Sequence, residues 1–246
     1  MRTTNVGHQM LEIAIEDSVI ADFPGVQVAA LRVSIEDQAN LASLRRELSS
    51  RLESAEAALA EFEPITSMPE IACWREAYQK LGVKPSKFAS SIEALLRRAK
   101  KEDIAEIGIP AVDLYNAISI LHRAPLGAYD ASKLSDAPLV LRKARPEIDV
   151  FAPLGSTADR FPLNPALVVY GQEDTVLCWG FNSRDSEVSA VDDASQQILF
   201  FSEATDADGA ARSVAALEEL ANLVAAAGGE TNPVVCLDAV TSSGRV

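Results

Sequence analysis

The chain has 246 residues, of which 48% are apolar, enough to build a sizeable core in one large domain or two modest ones. A formal net charge of -14 excludes a generally basic nucleic-acid binder, because long-range repulsion from phosphates opposes the release of counterions. Three widely spaced cysteines fit neither a disulfide framework nor paired zinc ligands, and no apolar stretch has the length of a signal peptide or membrane span, so we expect a soluble cytoplasmic protein.

The N-terminal residues predict two strands and one helix. Apolar alternation and β-branched residues in 11–17 and 26–37 are typical of strands, with Phe-Pro-Gly between them as a turn. Residues 38–62 then carry apolar side chains at helical spacing among Arg, Glu and Ala. This part of the chain shows no visible chemistry.

A second helix is predicted over 67–81. Ser67 and Glu70 have the spacing of a capping box, and the apolar side chains that follow fall on one helical face. Gly82 suits the C-terminal cap, and Pro85 prevents the helix from continuing.

Positive charge is concentrated in this region. Between Trp74 and Lys101, eight basic residues outnumber two acidic ones, which gives the segment a charge of +6 and leaves -20 for the rest. A third helix, with a capping box at Ser90 and Glu93, carries basic residues opposite its apolar stripe. We predict that the segment contacts nucleic-acid phosphates. The alternative is that these side chains are simply the solvent-exposed residues of two helices and a loop. The candidate contact residues are Lys84, Lys87, Phe88, Arg97 and Arg98.

The remaining elements favour an α+β fold, a mixed sheet with flanking helices. A helix follows Pro110, strand-like apolar runs occupy 138–144, 148–154, 167–171, 175–181 and 197–203, and an alanine-rich helix at 208–227 precedes a last strand within 232–240. Helices and strands are grouped rather than strictly alternating, which argues against a doubly wound sheet.

Several reaction classes lack their motifs. The chain has no dinucleotide-binding glycine fingerprint, no phosphate-binding Walker loop and no G-x-S-x-G. Its two histidines, His8 near the N-terminus and His122 at a predicted helix end, make a metal site or a serine-histidine triad improbable, and we expect neither metal nor cofactor.

Three clusters carry candidate chemistry. Asp113 and Asn116 lie one helical turn apart, although an acid near a helix start often only serves the helix dipole. The stretch PLGAYD offers close backbone approach at Gly127 and polar groups at Tyr129 and Asp130, with a tight turn as the somewhat stronger alternative.

The third cluster is the stretch NSRDS, which follows a predicted strand. Asn182, Arg184 and Asp185 there are suited to binding an anion or a ribose. The alternative is an Asx-turn closed by an Arg-Asp pair.

Taken in order, these motifs resemble a known family. The resemblance rests on the stretches WREAYQKLGVKPSKF, VDLYNAIS, APLGAYDASKL, NSRDSE and ILFFSE. From about 71 to 203 they resemble the free-standing B3/B4 domain proteins, which are related to the tRNA-editing module of the phenylalanyl-tRNA synthetase β chain. The resemblance implies an α+β domain over 1–246, with 1–66 as an N-terminal elaboration, 67–203 as the core and 204–246 as a C-terminal helix and strand. It also implies a pocket between two subdomains, where the synthetase module hydrolyses tyrosine mis-attached to the phenylalanine tRNA.

The motifs match at some pocket positions and depart at others. Tyr115 stands where the synthetase module has threonine, and Gly127 where it has its editing histidine. The synthetase glutamate corresponds to Asp185 or Glu187, or is replaced by Arg184. The matching positions are Asp113, Asn116, Pro125, Leu126, Ala128 and Asp130.

The resemblance implies an aminoacyl-tRNA editing-like protein that binds the aminoacylated 3′ end of a tRNA or a related ester. We predict that Asn116 and Asp185 position the hydrolytic water, and that Arg184 and Tyr115 make the pocket smaller and more positive. The other reading is a non-catalytic binding module that uses the pocket for an amino acid, a small anion or a protein partner. No membrane partner is expected.

Overall fold

The computed structural model describes residues 10–101, 106–155 and 163–246. His8 lies outside them. The described helices are α1 (Asp17–Asp22), α2 (Ala39–Glu47), α3 (Ser49–Leu59), α4 (Pro69–Lys80), α5 (Ser91–Ala99), α6 (Pro110–His122) and α7 (Ala207–Ala226). The strands are β1 (Glu12–Ile15), β2 (Gln27–Ser34), β3 (Gly127–Asp130), β4 (Leu139–Lys143), β5 (Val168–Gln172), β6 (Thr175–Trp179), β7 (Arg184–Asp185), β8 (Gln197–Ala204), β9 (Glu230–Thr231), β10 (Val235–Leu237) and β11 (Ser243–Arg245).

The strands form two sheets, so the expected α+β class is confirmed. Sheet A has the order β11-β1-β4-β5-β6-β7, and only its β1-β4 pair is parallel among the described strands. Sheet B has the order β10-β2-β8-β3, with β9 also on β2, and its pairs are antiparallel. The N-terminal strand β2 therefore lies inside sheet B, with neighbours on both sides.

The two sheets pack against each other through aromatic side chains. The rings of Tyr129 and Phe201 in sheet B lie 5.3 Å apart, and each also contacts Tyr170 of sheet A, at 6.3 Å and 5.3 Å respectively. All three side chains are buried. Such ring pairs add stability beyond the area that they bury, so they fix the spacing of the sheets.

Helices cover the other face of sheet B. Helix α7 packs on β2 and β8, and α6 packs against α2 and α7. Ser202 Oγ and Ser213 Oγ are hydrogen-bonded at 2.7 Å, which satisfies two buried hydroxyls between strand and helix. Among the described helices, none is long and apolar enough to cross a membrane.

Helix α4 ends as predicted but begins differently. Gly82 has a φ of 73°, and the bonds Gly82 N to Gln79 O and Val83 N to Tyr78 O form a Schellman motif. The predicted capping box is wrong: the helix starts at Pro69 after Met68, because proline is favoured in a first turn, and Ser67 closes a short 3-10 helix.

Other predicted elements also differ from the structure. Residues 148–154 form isolated bridges at Val150 and Pro153 instead of a strand. The predicted helix over 38–62 is divided at Leu48 into α2 and α3, and the short helix α1 was not foreseen. The stretch PLGAYD is strand β3 and not the tight turn that was favoured, because it pairs with β8 from Gly127 to Asp130.

Candidate functional site

Register in sheet A aligns three side chains on one face. Tyr170 of β5 lies opposite Cys178 of β6, and Cys178 lies opposite Asp185 of β7. Because directly paired residues project from the same face of a sheet, all three side chains point the same way. The ring contacts of Tyr170 show that this face is turned toward sheet B.

Sheet B presents a matching set across the gap. Gly127 and Phe201 are directly paired, and Tyr129 and Glu203 lie two residues further along their strands on the same face. The gap between the sheets therefore contains two carboxyl groups, Asp185 and Glu203, one from each sheet.

Asp185 is partly accessible although it is deeply surrounded. Burial raises the pKa of its carboxyl to about 6, and the neighbouring Cys178 thiol opposes that rise. No ion pair links Asp185 to a cation in the described part of the chain. A carboxyl with a pKa near neutrality is suited to accept or donate a proton under physiological conditions.

Glu203 is buried in the same gap, with 3% of its surface exposed. Burial raises the pKa of its carboxyl to about 7, while Asn182 and Tyr170 oppose the rise and the charge of Asp185 adds to it. Asn182 donates from Nδ2 to Glu203 Oε2 at 3.1 Å. The two acids are therefore electrostatically coupled, and both bind a proton more tightly than a free carboxyl.

Cys178 lies between these acids as a thiol. Burial first, and then the charges of Asp185 and Glu203, hold the pKa of Cys178 well above its usual range. Because only the thiolate is a strong nucleophile, the arrangement disfavours covalent catalysis by Cys178.

Gly127 opens space at this site. A side-chain carbon built at Gly127 would meet no atom of the described chain within 4 Å, and the residue has no positive φ that would require glycine. The missing side chain thus leaves room next to the two acids.

Tyr115 lies on the helical side of sheet B, within electrostatic reach of Asp185. Its partly buried ring lies 6.1 Å from Phe200, and burial and the charge of Asp185 raise the pKa of its hydroxyl. Tyr129 is likewise held protonated by burial and by nearby groups that include Cys178 and Asp185. Both phenols are therefore hydrogen-bond donors at neutral pH.

Two predicted binding residues have structural roles instead. The Asp113 carboxylate accepts hydrogen bonds from the backbone of Ile107 at 2.7 Å and Gly108 at 3.0 Å, which fixes the chain before α6. Asp130 accepts from Ser195 Oγ at 2.7 Å and caps the turn at Ser132, on the face of β3 opposite Tyr129.

The expectation of a positive pocket is wrong. Arg184 is exposed and precedes Asp185 in β7, so its side chain leaves the opposite face of the strand. Its paired residue on β6 is Trp179, whose ring packs on Phe88 at 4.9 Å on that outer face. The gap is consequently acidic.

The remaining pocket candidates differ in whether they face the gap between the sheets. Glu187 is exposed and accepts a hydrogen bond from the backbone of Gly155 at 3.1 Å, outside the gap, so of the two acids Asp185 faces the site. Asn116 is half-buried on α6 and has no hydrogen bond to a described residue. Its role with water stays a prediction.

The basic segment is partly neutralised. Arg75 and Arg97 bind the buried Glu93 at 2.8 Å and 2.6 Å. Lys84 and Lys87 are exposed, and neither forms an ion pair within the described residues. Of the proposed nucleic-acid contacts, Phe88 packs on Trp179, Arg98 lies exposed on α5, and all five stay predictions.

Sequence reasoning missed Glu203, Tyr170 and Cys178. All three lie in strands that were correctly predicted, and the residues on either side of each are apolar or small. The sequence did contain a signal for them, namely a polar side chain inside a strand that is buried on both faces. Such side chains rarely occur without a hydrogen-bond partner.

With this geometry established, comparison with known proteins identifies the family. A family model described as the B3/4 domain matches residues 73–225. The chain belongs to the B3/4 domain family. The matched residues include strands β3, β5, β6, β7 and β8, which carry Gly127, Tyr170, Cys178, Asp185 and Glu203.

Other comparisons are more distant. Among curated proteins, none matches the B3/4 chain. Among solved structures, it is similar to the crystal structure of an N-terminal fragment of the phenylalanyl-tRNA synthetase beta-subunit from Pyrococcus horikoshii, with 16% identity and a TM-score of 0.41. The similarity covers 50% of this chain and 41% of that chain, so the B3/4 chain spans less than half of that fragment.

Proposed function

We propose that the B3/4 chain hydrolyses an aminoacyl ester, as carried by the 3′ end of a charged tRNA, between its two sheets. The observation that carries this proposal is Asp185, a partly accessible carboxyl with a pKa of about 6 that faces the space beside Gly127. At pH 7 such a group is mainly a carboxylate and acts as a general base without histidine.

The reaction needs few groups. Asp185 accepts a proton from water, the water oxygen forms a bond to the acyl carbon, and the ester bond to the ribose oxygen breaks as that oxygen takes up the proton. The phenols of Tyr115 and Tyr129 are protonated donors near the site, suited to the developing oxyanion. Asn116 is proposed to position the attacking water.

The test is deacylation of a panel of correctly charged and mischarged tRNAs by the purified protein. We expect one class of mischarged tRNA to be hydrolysed, and Asp185→Asn to lower that rate about a hundredfold or more. Glu187→Gln, which changes a nearby exposed acid, is the matched control and should retain the rate. No hydrolysis across the panel, or equal losses in both variants, would reject the proposal.

Contact with tRNA is proposed for the loop that carries Lys84 and Lys87. These ammonium groups are exposed and have no ion pair in the described chain. In a salt titration of tRNA binding, each substitution to alanine should reduce the slope by about one unit. Lys133→Ala, whose ammonium group already binds Asp192 at 2.8 Å, should leave the slope unchanged.

A binding module is the second candidate. It is favoured by Gly127, because the position that carries the histidine in the synthetase module is empty here. In this case the gap would bind an amino acid or similar ligand without turnover. Binding of a ligand by a protein that leaves the whole tRNA panel intact would identify this function.

A further inference from the structure

The Glu203 carboxyl lacks a cation. It is 3% exposed, it receives one side-chain hydrogen bond from Asn182, and no described lysine, arginine or histidine forms an ion pair with it. A buried carboxylate without a counter-charge is costly. A ligand that brought a positive charge to Glu203 would remove that cost.

A second acceptor is available beside it. Tyr170 is 3% exposed, and its hydroxyl is directed to the Glu203 carboxylate as a donor, although no bond of full hydrogen-bond geometry is formed within the described chain. The hydroxyl and the Glu203 carboxylate lie close enough to influence each other's pKa. A phenol that donates to a carboxylate can still accept through its oxygen, so the Tyr170 hydroxyl is suited to accept a hydrogen bond from a donor group of a ligand beside Glu203.

The surroundings fit a cation better than an anion. The rings of Tyr129 and Phe201 form one cluster with Tyr170, the neighbour of Glu203, and aromatic faces attract cations. The charge of Asp185 acts on the same region, and Gly127 leaves space in it.

The other charged groups near Glu203 do not replace the ligand. A crevice that also reaches Glu203 is lined by Glu70, Cys73, Arg123, Asp206 and Arg212. Arg123 there is directed to Glu70, at 3.5 Å, and not to Glu203. On the gap side, the titratable groups that act on or are influenced by Glu203 are Tyr78, Tyr129, Tyr170, Cys178 and Asp185.

We infer that Glu203 and Tyr170, with Asn182 holding the carboxylate, form a subsite for the protonated amine of the ligand. If the proposed function holds, this amine is the free α-ammonium group of the aminoacyl ester, and only the ligand's identity rests on that function. The site would select ligands with a free amino group and reject N-acylated ones. Asp185 remains separate as the base.

The experiment is calorimetric titration with amino-acid amides, which resemble the ester but resist hydrolysis, each compared with its N-acetyl derivative. We expect at least one amide to bind and acetylation to weaken it about tenfold or more, as expected for loss of a charge-assisted hydrogen bond. Affinity for the amide should rise from pH 6 to 7.5 as Glu203 loses its proton, while the α-amino group keeps most of its own.

Two variants locate the effect. Glu203→Gln keeps the shape of the side chain and should weaken amide binding about tenfold and flatten its pH dependence, and Tyr170→Phe should weaken it without changing the ring. Glu218→Gln, an exposed acid on α7, is the control. Equal binding of an amide and its acetyl derivative, unchanged binding in Glu203→Gln, or no binding by any amide would overturn the inference.

The outcome is independent of the deacylation test. Hydrolysis of aminoacyl-tRNA and N-acetyl-aminoacyl-tRNA at equal rates would leave the proposed function standing and reject the amine subsite. Selective binding of free amides without any hydrolysis would support the subsite and reject the editing activity.

Discussion

Asn182 donates a hydrogen bond to Glu203 at 3.1 Å, and so joins the segment after β6 of sheet A to β8 of sheet B. The same asparagine accepts a backbone hydrogen bond from Ser91 through Oδ1 at 3.4 Å, at the start of α5. One buried side chain thus links both sheets and the helix that follows the basic loop.

Removal of this link should destabilise the protein. Asn182→Ala deletes a donor to a buried carboxyl, and we expect the free energy of unfolding to fall by about 1–3 kcal/mol. Urea unfolding at pH 7.5 measures the change. Asn40→Ala, which removes an exposed hydrogen bond to Ala227, serves as the control, and a loss as small as in that control would contradict a linking role.

Asp185→Asn should stabilise the protein at neutral pH. The raised pKa of Asp185 means that the folded state holds its proton more tightly than the unfolded chain, so this group reduces stability as pH rises from about 4 to about 6. The variant has no such ionisable group, so above pH 6 its free energy of unfolding should exceed that of the wild type by about 2–3 kcal/mol. Urea unfolding midpoints of both proteins from pH 4 to 8 test the sign of this effect. The prediction is refuted if the stability of the variant minus that of the wild type falls between pH 4 and pH 7.

The buried ion pair of Arg142 with Asp149, at 2.8 Å, predicts the opposite pH dependence. Burial opposes ionisation of Asp149, yet Arg142 and the Arg145 backbone lower its pKa below the usual value, so its contribution is present at neutral pH and is lost as pH falls through the lowered pKa. Arg142→Leu should cost roughly 2–4 kcal/mol at pH 7, because it removes the buried partner of the carboxylate and leaves only Arg145, whose guanidinium is largely exposed. Thermal unfolding at pH 7 and at pH 3 should show a smaller difference between variant and wild type at the lower pH.

Substitutions at Gly127 should separate folding from function. Gly127→Leu has room and should fold with nearly the wild-type melting temperature, but it fills the gap and should abolish hydrolysis or ligand binding. Gly25→Ala is the contrast, since its added carbon would lie 2.6 Å from the Thr205 carbonyl oxygen and should lower the melting temperature. A Gly127→Leu protein that folds and retains full activity would place the site elsewhere.

The sequence predicted the fold class and most elements because their patterns are local. Short strand-like apolar runs predicted β4, β5, β6 and β8, and Ser90 indeed accepts a hydrogen bond from the Glu93 backbone at 3.2 Å to begin α5. Residues 148–154 have the same apolar texture but pair with the described part of the chain only at Val150 and Pro153, and that depends on residues distant in the sequence.

The site was only partly predictable for a related reason. Asp185 and its strand neighbour Arg184 were both predicted from the polar stretch NSRDS, and the family resemblance made Asp185 a candidate for the position of the synthetase glutamate. Whether a side chain faces the gap or the solvent depends on register between β6 and β7, which the sequence of one strand does not specify. Glu203 and Tyr170 are on different sheets, so they can be recognised as one site only when the packing of the two sheets is known.

The pairing of β11 with β1 has a consequence for handling the protein. Residues 243–245 occupy the outer side of β1, and the buried Val246 exchanges backbone hydrogen bonds with Leu11 at 3.0 Å. Deletion of these last residues would bare the hydrogen-bonding edge of β1, which is the kind of edge through which proteins aggregate. Forms of the chain shortened within β11 should therefore be checked first for self-association.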